Sequence, residues 1–178
     1  MKNKGFSLVE LIIVIAIMAI LAAAIAPALI RYIDKSRRSD DVAAAESVNT
    51  AAQAAFSNEE AYDDVQAVLG GSTTVTIDGE TVVLLASAAQ DSATWTGQNG
   101  LANTSQFIKE LSSNVGTKSP KLKYTKDGAN GWAVGINKAN NKPVVFLHFG
   151  TVSGVTQQER KVVSNYLELQ PSICAPYK

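Results

Sequence analysis

The sequence is short of the residues that carry most protein chemistry. It holds one cysteine, Cys174, and one histidine, His148. A lone cysteine cannot close an internal disulfide, and one cysteine with one histidine cannot build a zinc site of the usual kind. Neither sign of charge is in excess, with 16 Lys and Arg against 16 Asp and Glu. The chain therefore has no basic field to hold nucleic acid, and no nucleic-acid partner is expected. Catalysis needs a nucleophile, a base and an orienting group, or a metal cluster. His148, the only imidazole, lies in an apolar stretch and reads as a core or surface residue. Cys174 has no activating neighbour in the sequence, and the glycines at Gly70 and at 128–131 lack the Lys-Ser/Thr of a phosphate loop. No catalytic residue, cofactor or metal is assigned. Internal repeats and low-complexity segments are also lacking.

What is abundant is unevenly spread. The hydrophobic fraction is 46%, yet residues 11–30 contain no charge and no hydrogen-bonding side chain. At about 1.5 Å per helical residue, such a run crosses the roughly 30 Å of a bilayer's hydrocarbon. A secretory signal peptide would have a shorter apolar stretch and a small-residue cleavage site at its far end. Glu10, close to the start of the run, fits neither that pattern nor a plain anchor. A carboxylate costs on the order of 2.5–3.5 kcal/mol at the centre of a membrane helix and less near an interface. Glu10 asks for a cation. Pro27 falls inside the run, where the missing N–H and the ring clash lead to a kink or weak point.

The N-terminus Met1-Lys-Asn-Lys-Gly-Phe-Ser-Leu-Val-Glu10 resembles the class III leader and cleavage site of type IV prepilins, most of all the type IVa class. The resemblance implies cleavage by a prepilin peptidase between Gly5 and Phe6, N-methylation of Phe6, and pairing of Glu10 with the amino terminus of a neighbouring subunit. It also implies that Phe6, Glu10 and Pro27 serve assembly and that residues 19–27 melt when the filament forms. Lys2 and Lys4 precede the span while Arg31, Lys35, Arg37 and Arg38 follow it, so a positive-inside count favours the opposite orientation. The motif outranks that count for a first segment with a short leader.

After residue 30 the helical pattern continues to about Ser57 and turns amphipathic. Val42, Ala45, Val48 or Asn49, Ala52 and Phe56 form a narrow stripe, rich in alanine and suited to close packing on a sheet. The charged segment 31–41 reads as a solvated helix at a membrane surface or as a source of inter-subunit ion pairs. Asn58-Glu-Glu-Ala-Tyr-Asp-Asp64 reads as a solvated helix end, since calcium-loop spacing is absent. Residues 73–77 and 80–85 form a hairpin around Asp78-Gly79. Asn103 and Gln106 read as a reciprocal cap opening a helix to about Ser113. Strands are expected at 122–125, 132–137 and 144–149, antiparallel because their connectors are short, with 144–149 central and covered on both faces. A last helix is expected from Thr156 to about Leu169.

The expected fold is α+β, a long N-terminal helix packed on an antiparallel sheet head, as in the pilin fold. Its divisions are a leader (1–5), a transmembrane and filament-core helix (6–30), an amphipathic continuation (31–57) and a globular head (58–178). The resemblance implies a homopolymeric filament whose partners are the membrane, the prepilin peptidase and the pilus assembly machinery. The subunit would sit in the inner or cytoplasmic membrane before assembly and in a cell-surface pilus after it. Two alternatives stand beside this: a pseudopilin of a type II secretion or DNA-uptake system, and a monomeric membrane-anchored binding protein. The lack of a C-terminal disulfide resembles clostridial and other Gram-positive pilins.

Overall fold

The computed structural model describes residues 7–71, 74–77, 79–149, 162–163, 166–174 and 177. By its contacts the chain divides into two compact units, Met1–Ser36 and Arg37–Lys178. The first helix, α1 (Leu8–Phe56), begins in the former and ends in the latter. It closes when Ser57 and Asn58 donate to the carbonyls of Ala54 and Ala55. Asn58 then caps α2 (Glu59–Val68) by accepting from the Ala61 N–H, one of the four donors a helix start leaves unpaired.

The remaining elements are β1 (Thr74–Ile77), β2 (Glu80–Ala89), β3 (Thr96–Gly97), α3 (Gln106–Val115), β4 (Ala129–Asn137), β5 (Pro143–Phe149), β6 (Val162–Val163) and β7 (Tyr166–Gln170). They form one antiparallel sheet ordered β1-β2-β4-β5-β7-β6, with β3 added on β2. The expected α+β architecture is thus the observed one. The β1–β2 hairpin pairs Ile77 with Glu80, and Gly79 takes the left-handed φ of +85° that a two-residue turn of this kind requires. A bulge between Leu84 and Ala86 lets β2 turn both Leu85 and Ala86 toward the helices.

The main core lies between the sheet and the helices. Ala45, Val48, Ala51, Ala52 and Ala55 of α1 meet Val83, Leu85, Trp132, Val134 and Leu147 there, with Phe107 and Leu111 from α3. The buried stripe keeps Ala45, Val48 and Ala52 of the expected one and differs at its two ends. Ala55 is fully buried, whereas Val42 and Phe56 pack at its margin. On the other face Val75, Val82, Leu84, Ala133, Val144 and Phe146 form a second, smaller cluster. Strand β5 is therefore central and covered on both faces, as its apolar run implies.

Three expectations are corrected. Residues 122–125 form no strand: the Leu122 N–H donates to the Gln90 side chain, and those of Lys123 and Tyr124 donate to Asp41. Leu122 and Tyr124 are buried and Lys121 and Lys123 exposed, so the alternation is that of a strand while the partners are side chains. The final helix is replaced, where described, by β6 and β7. Leu167 and Leu169 lie in the main core, and β7 supplies the hydrogen-bonding neighbour that β5 needs. Residues 156–161 of that expected helix lie outside the described residues. The cap of α3 is Ser105, which accepts from Ile108, while Asn103 accepts from the Gly97 N–H instead.

The unit from Arg37 onward encloses its own core, so a fragment starting at Arg31 is expected to be a soluble, cooperatively folded monomer. Sedimentation and urea unfolding check this; a fragment that polymerised in water would contradict the role given below to the apolar half of α1.

Candidate functional site

Every large apolar side chain of α1 from Leu8 to Ile33 is exposed, far beyond the patches that monomeric proteins leave in water. By length and composition this part of the helix can cross a membrane. The local cause is compositional, since nothing between residues 11 and 30 interrupts a run of strong apolar helix formers apart from Pro27. Pro27 stays within the helix, where it leaves the Ala23 carbonyl without its usual intrahelical donor.

Glu10 sits in the first turn of α1, where the helix dipole favours a negative charge. Its Oε2 accepts from the Ser7 N–H at 2.9 Å, so the carboxylate caps its own helix in the single chain. Pro27 is 17 residues further on, about 25 Å along the axis, and is not brought to Glu10. Gly5 and Phe6 lie outside the described residues.

The family described as "Prokaryotic N-terminal methylation motif" matches residues 1–26, the segment holding Gly5, Phe6 and Glu10. The chain is also similar to the type IV major pilin protein PilA of Myxococcus xanthus (strain DK1622), at 36% identity over 69 residues. The N-terminal segment of the chain carries the prokaryotic N-terminal methylation motif. The match to the Myxococcus pilin covers 39% of this chain and 31% of that relative, so the chain spans about a third of its length. No solved structure matches the chain.

Sequence reasoning missed a second cluster, which holds the C-terminal segment without a disulfide. Asp41 of α1 is fully buried, and its two oxygens accept from the backbone N–H groups of Lys123 and Tyr124 at 2.7 and 2.9 Å. The Arg38 guanidinium lies 4.3 Å from the centre of the Tyr124 ring, and its Nη2 donates to the Tyr124 hydroxyl at 2.8 Å. Tyr177 meets Tyr124 edge-on and donates its hydroxyl to Asp127 at 2.8 Å. Burial, with Asp127 beside it, pushes the Tyr177 phenol far above its ordinary range. Upstream, the Ser172 N–H donates to the Glu168 side chain and the Cys174 N–H to the Glu168 carbonyl. The signal was present in the spacing. Asp41 stands four residues before Ala45, in phase with the buried stripe, where a charge must find donors.

Asp41→Ala would leave the part-buried Lys123 N–H and the buried Tyr124 N–H without acceptors, the buried one at about 1–3 kcal/mol. A loss of about 1–3 kcal/mol in urea unfolding is expected. Burial raises the Asp41 pKa above 3.8, against the opposing effect of the Lys123 and Tyr124 N–H groups. A folded-state pKa above the unfolded one means that folding favours the protonated form. The Asp41 contribution is therefore largest below the unfolded value, about 3.9, and falls as pH rises through the folded value. The cost of Asp41→Ala should accordingly be larger at acidic than at neutral pH.

Proposed function

We infer that the chain is a structural subunit, the main pilin of a type IV pilus, made as a membrane-anchored precursor and polymerised through α1 into a surface filament for adhesion, motility or biofilm formation. In this reading residues 1–5 are a leader, 6–30 the membrane and filament-core helix, 31–57 its amphipathic continuation and 58–178 the head. The subunit waits in the cytoplasmic membrane and ends outside the cell. The observation that carries the reading is an exposed apolar half-helix with one carboxylate in its first turn, under a prepilin-type methylation motif.

The physical step is a change of surroundings. An apolar helix leaves the bilayer without loss only if other apolar helices replace the lipid, which neighbouring copies of α1 do. Glu10 then has to be neutralised inside an apolar bundle, because an unpaired buried charge is strongly destabilising. The protonated amine of Phe6 on an adjacent subunit supplies the cation and fixes the axial register. Pro27, with its unanswered carbonyl at Ala23, marks the end of the 19–27 segment that gives way on packing.

Maturation tests the first half. Mass spectrometry of native filaments should find an N-terminus at methylated Phe6, and a bulky residue at Gly5 should leave an uncut, membrane-held precursor; filaments beginning at any other residue would sink the assignment. Assembly tests the second half. In a strain lacking the native subunit, Glu10→Ala should reach normal membrane levels and be cleaved normally, yet give few or no surface filaments by electron microscopy. Normal piliation would make Glu10 an incidental interfacial charge, and complete absence of filaments with the unsubstituted chain would point to a pseudopilin or a monomeric anchored protein.

A further inference from the structure

Ser87 of β2 pairs with Ala133 of β4, a member of the smaller cluster on the sheet face turned away from the helices. Beside it an open groove of about 500 Å3 is walled by Ser87, Ser92, Thr94, Thr96, Asn130 and His148. The wall is fixed. The Ser92 hydroxyl both donates to the Thr94 carbonyl and accepts from its N–H, and the Ser92 N–H is held by the Ser119 hydroxyl at 3.0 Å. Gln98 donates to the Ser87 hydroxyl at 3.0 Å. The Tyr166 ring braces His148, with centroids 5.2 Å apart.

By contrast, the side chains of Thr94, Thr96, Asn130 and His148 make no hydrogen bond among the described residues, and all four line this one groove. No Lys, Arg, Asp or Glu lines it, so a charged ligand finds no counter-ion there. Hydroxyl and amide groups donate and accept alike. Burial lowers the His148 pKa below 6.5, and a neutral imidazole does both as well. Ala89 adds an apolar contact. We propose that this groove binds an uncharged saccharide of one or two rings, whose hydroxyls pair with Thr94, Thr96, Asn130 and His148 while its C–H face rests on Ala89. The volume lies in the range of about 300–1,000 Å3 usual for small-ligand sites. The binding does not depend on polymerisation, although repetition along a filament would multiply a weak single-site affinity.

His148 is the only histidine, so ring-labelled histidine in the full chain gives a single imidazole signal. The protein is held in zwitterionic detergent, which carries no sugar headgroup, and titrated separately with lactose, maltose, cellobiose and chitobiose. At least one should shift the His148 signal saturably. Thr96→Ala and Asn130→Ala should each weaken that binding by roughly three- to tenfold, the share of one hydrogen bond, while Ser47→Ala on the exposed face of α1 should leave it unchanged. The proposal is overturned if none of the four disaccharides gives a saturable shift, if sodium phosphate gives the same shift, or if the groove variants bind as well as the unsubstituted chain.

Discussion

The N–H groups of Lys123 and Tyr124 have no strand to pair with, and the carboxylate of Asp41 takes both of them. That one interaction joins an α-helix to a segment that would otherwise need a sheet edge or solvent for its backbone. It also sets the two tyrosines in place. With Tyr124 fixed, Arg38 can stack on its ring and bond its hydroxyl, and Tyr177 can pack edge-on while reaching Asp127. A buried carboxylate held by two backbone donors is directional in a way that apolar contact is not. It therefore fixes where the loop and the C-terminal residues meet α1, a task that a covalent bridge cannot perform in a chain with one cysteine.

The rest of α1's contact with the sheet depends on small size. Ala45, Ala51, Ala52 and Ala55 bring the helix close, so that large residues from the other side, Trp132, Phe107 and Leu147 among them, fill the space between. Close approach leaves little tolerance for volume, because well-packed interiors absorb an added methylene only with strain. The sheet is buried on its other face as well, and this double cover explains why β4 and β5 read as nearly continuous apolar runs. Trp132 is fully buried and satisfies its indole N–H on the Pro120 carbonyl at 2.7 Å.

Features set by local chemistry were legible in the sequence. Asp78-Gly79 marked the β1–β2 turn, Trp132 to Asn137 and Val144 to Phe149 marked a strand pair, and an unbroken apolar and alanine-rich run marked α1. Features set by distant partners were not. Leu122 and Tyr124 alternate like a strand, but periodicity reports which side chains are buried and is silent on what the backbone bonds to. Tyr166 to Gln170 is short and mixes helix formers with alternating leucines, and the open edge of β5 decided in favour of a strand. For the N-terminal site, composition gave the exposed apolar helix and the position of Glu10, while the motif gave the roles of Gly5 and Phe6. Its spacing from Ala45 marked Asp41 as buried, but nothing local could name its donors, which lie more than eighty residues away in sequence.

Two of the carboxylates on α1, Asp41 and Glu10, answer the same physical demand in opposite ways. Asp41 is surrounded by its own chain, which supplies its two N–H donors permanently and closes the site. Among the described residues Glu10 has one donor, the Ser7 N–H, and apolar neighbours that face outward. A carboxylate has about four acceptor positions, so one oxygen bonded once leaves most of that capacity open. Water or lipid headgroups fill it while the helix is single. Asp41 thus makes its end of α1 self-sufficient, whereas the acceptor capacity of Glu10 is mostly left open by the described residues.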